Sequence, residues 1–218
     1  MGKAFWAICA AIVLVGVVFA VWPDLDLVVA HFFYDGGGFM GGEGWQRLLR
    51  ECLGDLPFVV LAAYVVLYLL RRFGRAVPWA PDGRGIVFLI LTLAIGPGLI
   101  VNLGFKDHWH RPRPSHIVDF GGGDPFRPWY LTDGACKRNC SFVSGEASTG
   151  FWMVAPALLA PPPLRSAAVA GALVFGVAAS ALRLAFGGHF LSDVLLGGLV
   201  ALLVIVVTRR FLWPRGGP

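Results

Sequence analysis

Long apolar runs constrain this chain more than anything else in it. Residues 4–21, 56–70, 86–105, 144–161, 167–184 and 190–207 are dominated by aliphatic, aromatic and small residues, and most ionisable groups fall in the gaps between them. A bilayer core about 30 Å thick is crossed by a helix of about 20 such residues. The composition agrees: 57% of residues are hydrophobic and 14% charged, against about 25% charged in an average soluble domain. The expected fold is therefore an all-α membrane protein, with six transmembrane helices in one bundle and a single domain over residues 1–218. The first run is longer than the apolar core of a cleavable signal, although Val18-Phe19-Ala20 loosely fits a cleavage site. Between the first two runs, Leu25, Leu27, Val28, Val29, Phe32 and Phe33 suggest a short interfacial helix in the first loop. Gly96-Pro97-Gly98 should kink or partly unwind the third run.

Polar side chains break this pattern at three places. Lys106 to Pro114 follows the third run, Ser144 to Glu146 opens the fourth, and Arg183 to Asp193 joins the fifth to the sixth through Gly187-Gly188. Corners from odd to even spans all open to one side of a membrane, so the three clusters can converge. Ionisable groups at such a depth are usually functional. Asp193 follows His189 by four residues, which on a helix puts both side chains on one face. A carboxylate there would fix the imidazole tautomer and free the other ring nitrogen to attack. Lys106, Arg113 and Arg183 together supply three cations, with forked donors that match phosphate oxygens. The amides of Ser144, Gly145 and Glu146 at a helix start would add donors to the same anion. The plainer readings are Ser144 as an N-cap and Lys106 as a snorkelling boundary residue.

The net charge of +5 comes without a basic arm or an RNA-binding motif, so a nucleic-acid partner is not expected. Anionic lipid surfaces and an anionic substrate suit it better. Cys136 and Cys140 bracket three residues in a long polar loop. Their closeness suggests a disulfide on an oxidising side of the membrane, with two free thiols as the alternative and no second ligand pair for zinc. His108 and His110 are auxiliary candidates that contact a headgroup or line the interface. A His-x-His metal pair is weak there, because alternate residues share a face only on a strand. With both termini cytoplasmic, the basic residues divide evenly between the two sides. The tie breaks once Lys106, Arg113 and Arg183 are assigned to a site rather than to topology.

These residues resemble the type-2 phosphatidic-acid phosphatases. The family pattern of Lys, six residues and Arg-Pro is met by Lys106 and Arg113-Pro114. The block of Ser-Arg, five residues, His, three residues and Asp is met by Arg183, His189 and Asp193, with Leu182 in place of the serine. The middle block, Pro-Ser-Gly-His, reads Val143-Ser144-Gly145-Glu146 here. The resemblance implies a phosphatase that uses no metal or other cofactor, with His189 as nucleophile and Lys106, Arg113 and Arg183 holding the phosphate oxygens. Glu146 stands where the family has a proton-donating histidine, and it acts there as an acid of raised pKa, as a base for water, or as a disabling change. The implied substrates are lipid A, polyprenyl phosphates or diphosphates, and glycerophospholipid phosphates at the outer face of a bacterial inner membrane. Phe120, Phe126, Trp129 and Tyr130 in the loop over residues 115–140 favour a large headgroup. A lipid phosphotransferase and a non-hydrolytic lipid-phosphate carrier are the alternatives, and the oligomeric state is open.

Overall fold

A computed structural model describes residues 2–42 and 44–214; Arg215, one of the basic residues expected on the cytoplasmic side, lies outside the described residues. The chain is helical: α1 (Lys3–Val21), α2 (Asp24–His31), α3 (Gly44–Arg72), α4 (Gly83–Leu93), α5 (Gly145–Trp152), α6 (Val154–Leu158), α7 (Pro162–Ala185) and α8 (Leu191–Leu212). Among the described residues, five segments are long and apolar enough to cross a membrane: Lys3–Val21, Gly44–Arg72, Gly83–Phe105, Pro162–Ala185 and Leu191–Leu212.

Three departures from the sequence pattern have local causes. First, α3 begins at Gly44 rather than near residue 56. Its opening turns, Trp45 to Leu53, are mostly good helix formers, but their charged residues hide the helix from a search for apolar runs. Second, the third run is not a single α-helix, and the partial unwinding expected at Gly96-Pro97-Gly98 takes the form of a wider helix. α4 starts at Asp82, whose carboxylate accepts from the Gly85 amide at 2.8 Å, and continues as a π-helix over Ala94–Phe105. Pro97 offers no amide to the carbonyl four residues back, and the wider turn keeps the segment continuous without that bond.

Third, the run over residues 144–161 is divided at Met153 into α5 and α6. Pro156 removes the amide that would have bonded to Trp152, so the helix gives way one residue later. At about 1.5 Å per residue the pair falls well short of a 30 Å core. It nevertheless runs from one end of the bundle to the other. Tyr64 donates to the Pro156 carbonyl at 3.0 Å, and Leu159 to Pro162 share a cleft with Arg71, Asp82 and Trp213.

Glycines let this short helix sink between its neighbours. Phe151 on α5 occupies space that a Cβ on Gly176 of α7 would enter to 2.8 Å, and one on Gly198 of α8 to 2.5 Å. A Cβ on Gly197 would come to 2.7 Å from the Ser144 carbonyl, so α8 holds the start of α5 in place. Small residues at helix contacts are the usual route to close packing in a bilayer. Below them Trp152 donates to Thr92 at 2.9 Å within a core that includes Phe88, Leu89, Ala155 and Ile205.

The long loop, residues 106–144, folds across one end of the bundle. Phe142 stacks against Trp109 and Trp129, with ring centroids 4.8 and 5.7 Å away. Trp129 also donates to the Gly16 carbonyl at 3.1 Å, fastening the loop to α1.

Candidate active site

The loop after residue 105, the start of α5 and the α7–α8 corner meet at that covered end. The corner turns at Gly187, whose φ of +59° is costly for other residues. At Gly188 a Cβ would lie 2.2 Å from Nη2 of Arg183, so the second glycine is where the guanidinium passes. Arg183 and Arg50, the latter from the unforeseen first turns of α3, both reach Glu146. Arg50 grips it with two bonds, Nη2 to Oε1 at 2.6 Å and Nε to Oε2 at 3.1 Å, while Nη1 of Arg183 lies 3.4 Å from Oε1. Nε of Arg183 is buried and has no hydrogen-bond partner among the described residues.

Lys106 and Arg113 stand opposite. Nζ of Lys106 lies 3.2 Å from where a Cβ on Gly145 would be, so the absence of a side chain there brings the ammonium over the start of α5. Both cations lean on one neutral residue. Lys106 donates to Oδ1 of Asn139 at 3.2 Å, and Arg113 donates twice to the Asn139 carbonyl, at 2.9 and 3.2 Å. Asn139 lies within the short loop closed by the Cys136–Cys140 disulfide. Burial first, and then the charges of Arg113 and Arg183, push the Lys106 ammonium down to about 8. Arg113 is also lowered, chiefly by burial.

His189 is almost fully buried. Burial, with Arg183 and Arg113 adding to it, brings its pKa down to about 4 against the opposing pull of Asp193. The imidazole is therefore neutral at pH 7. Nδ1 lies 2.6 Å from the Ser141 carbonyl. A carbonyl can only accept, so Nδ1 carries the proton and Nε2 keeps its lone pair. This corrects the expected pairing with Asp193, whose nearest oxygen is 3.8 Å from Nδ1, beyond hydrogen-bonding distance. The four-residue spacing does place the two side chains on one face, but the Asp193 carboxylate is already engaged. It accepts from Ser141 Oγ at 2.5 Å, Arg111 Nη1 at 2.5 Å and the Phe190 amide at 2.9 Å.

Arg111 was not singled out in the sequence, and it organises this part of the site. It is fully buried and also donates to Asp26 on α2 at 2.7 Å, to Ser192 at 2.9 Å and to the Arg127 carbonyl at 2.8 Å. Its guanidinium lies 4.3 Å from the centre of the Phe190 ring. Asp26 in turn accepts from the Ser192 amide at 2.8 Å and its hydroxyl at 2.6 Å. The available signal was weak: α2 carries two acids, Asp24 and Asp26, and nothing in the sequence says which of them is buried against a cation.

Other expected residues are placed differently. Ser144 caps α5, accepting from the Ala147 amide at 3.2 Å, and its own amide donates to the Asp193 carbonyl at 3.1 Å. Its amide is therefore not free for an anion, whereas the amides of Gly145 and Glu146 have no partner among the described residues. His110 turns to the Cys136 carbonyl at 2.9 Å and His108 is exposed. Among the described residues neither makes a hydrogen bond or ion pair with Glu146, Arg183 or His189. Phe120, Phe126 and Trp129 pack against Tyr34, Phe190 and Phe142 respectively. They are committed to holding the loop together, which removes most of the argument from loop aromatics to a large headgroup; Tyr130 stays exposed. No group of three or more His, Cys, Asp and Glu side chains is placed to hold a metal among the described residues.

Four cations thus gather near a buried neutral imidazole at one end of the bundle. The model of the PAP2 superfamily matches residues 85–216, and the chain belongs to that superfamily; it is a membrane-embedded phosphatase acting on lipid. It is similar to a lipid A 4'-phosphatase of Francisella tularensis subsp. novicida (strain U112), with 37% identity covering 83% of this chain and 83% of that one. Lipid A 4'-phosphatases of Rhizobium leguminosarum and Rhizobium etli are each 35% identical over 92% of this chain, covering 89% and 81% of theirs. No solved structure matches significantly.

Proposed function

We propose that the protein removes a phosphate from lipid A in two steps, through a phosphohistidine on His189. The observation that carries the reading is the contact of Nδ1 with the Ser141 carbonyl, which leaves Nε2 as the nucleophile. The names of the three relatives support lipid A as substrate.

In the first step the Nε2 lone pair attacks phosphorus and the bond to the sugar oxygen breaks. Lys106, Arg113, Arg183 and the free amides of Gly145 and Glu146 stabilise the spreading oxygen charge. Glu146, paired with two guanidiniums, is an anion with no proton to give. The leaving oxygen therefore draws its proton from Lys106, whose hold on one is weakened to about 8. In the second step water attacks phosphorus, the electron pair of the P–N bond returns to Nε2, and the proton that water gives up leaves to solvent, from which Lys106 regains its own.

We place both termini on the cytoplasmic side of a bacterial inner membrane and the site on the outer side. The Cys136–Cys140 disulfide at the site end supports this orientation. The α5–α6 pair, running between the two ends, serves as the sixth crossing, and α2 lies at the interface beside the site.

Phosphate release in detergent from lipid A, a polyprenyl phosphate and a glycerophospholipid phosphate tests the reading. Steady release from lipid A without an added acceptor is expected. Loss that requires a second lipid identifies a phosphotransferase, and tight binding without release identifies a carrier. A large gain on Glu146→His would show that this carboxylate impairs the site.

A further inference from the structure

Arg50 lies outside the matched region of residues 85–216, on a part of α3 that the apolar pattern did not reveal. Its fork fixes both oxygens of Glu146 in one plane, yet each oxygen keeps a lone pair able to take a proton. The pair is open to water, with side-chain exposures of 34% and 32%. The bidentate geometry gives the half-buried pair some structural value, and it also holds the carboxylate in one orientation. Arg183 from α7, Lys106 and Arg113 from the long loop and His189 from the corner also face Glu146, and Glu51 faces Arg50. Once a substrate phosphate engages Lys106, Arg113 and Arg183, Arg50 is the cation of this group left to Glu146.

We propose that Arg50 is a positioning residue that keeps Glu146 ionised and aimed as the base for the water that hydrolyses phosphohistidine. The inference rests on the phosphohistidine reading above. In the step, Glu146 takes a proton from water as the oxygen bonds to phosphorus. The P–N bond breaks, its electrons return to Nε2, and Nδ1 keeps its proton on the Ser141 carbonyl throughout. The carboxyl proton then passes to solvent.

The test uses the full chain in detergent with lipid A carrying labelled phosphate, quenched to trap acid-labile phosphoprotein. Arg50→Ala is expected to lower kcat about 100-fold, the scale of a lost general base, with KM falling alongside it so that kcat/KM, which reports the steps up to the phosphohistidine, changes less than threefold. Labelled phosphoprotein should accumulate, and the acid limb of kcat should move to higher pH by roughly one unit. Arg50→Lys should recover much of the rate, and Glu146→Gln should trap the same phosphoprotein. Arg50→Ala turning over within twofold of the parent overturns the proposal, as does a loss of rate with no trapped phosphoprotein. If Arg50→Ala does not fold, Arg50→Gln and Glu146→Gln decide alone: trapped phosphoprotein in both supports the proposal, and its absence from Arg50→Gln overturns it. A parent protein that releases no phosphate instead sinks the hydrolase reading, a separate result.

Discussion

Two clusters of arginine and carboxylate share one end of this molecule, and they are unbalanced in opposite directions. Around Arg111 one guanidinium serves two carboxylates, Asp26 and Asp193, all three buried and closed by Ser141, Ser192 and backbone donors. A few residues away four cations, Arg50, Lys106, Arg113 and Arg183, stand around the single carboxylate of Glu146. In the first cluster every charge has a partner of good geometry, which is what makes a buried ion network tolerable. In the second, Lys106 and Arg113 lean on a neutral asparagine and Arg183 keeps an unbonded Nε. Such a ring gains by taking an anion. The lesson is that residue type does not separate scaffold from site; the saturation of donors does.

The sharpest test of that division falls on His189, which touches both clusters. His189→Ala should lower turnover by about 10⁴-fold or more, as loss of a nucleophile does, while the thermal midpoint barely moves; retained activity would remove the nucleophile. Next, Arg111→Met should destabilise the fold by about 3–5 kcal/mol, since it leaves two buried carboxylates without a cation. Arg113→Met should lie within about 0.5 kcal/mol of the parent and lose activity instead. Denaturant midpoints and phosphate release on the two variants would erase the distinction if they ranked the other way.

A smaller effect concerns pH. Neutral His189 is required, so kcat/KM should rise as pH passes about 4. Charged Lys106 is required, so it should fall as pH passes about 8. Lys106→Arg should abolish the alkaline limb and slow the reaction at pH 7, because a guanidinium stays protonated there; a limb that stays put would assign it elsewhere.

Much of this was legible in the linear chain. Apolar runs announce helices because a bilayer leaves no other partner for the backbone, and the spacing of Lys106, Arg113, Arg183, His189 and Asp193 is what led to the phosphate site proposed above. Arg50 and Asp26 were not legible. Each is an ordinary charged residue in an ordinary helix, and its meaning depends on a partner 96 or 166 residues away. The break at Met153 was partly legible in Pro156, but an apolar count does not register a missing amide.

The sequence by itself determined that this chain is a helical membrane protein and which polar residues interrupt its apolar runs, since hydrophobicity and spacing are properties of the string. Tertiary structure decided who pairs with whom. It gave His189 a carbonyl instead of Asp193, gave Asp193 to Arg111, and set Arg50 on Glu146. Those choices follow from where packed helices bring charges within about 3 Å, the distance at which a hydrogen bond forms.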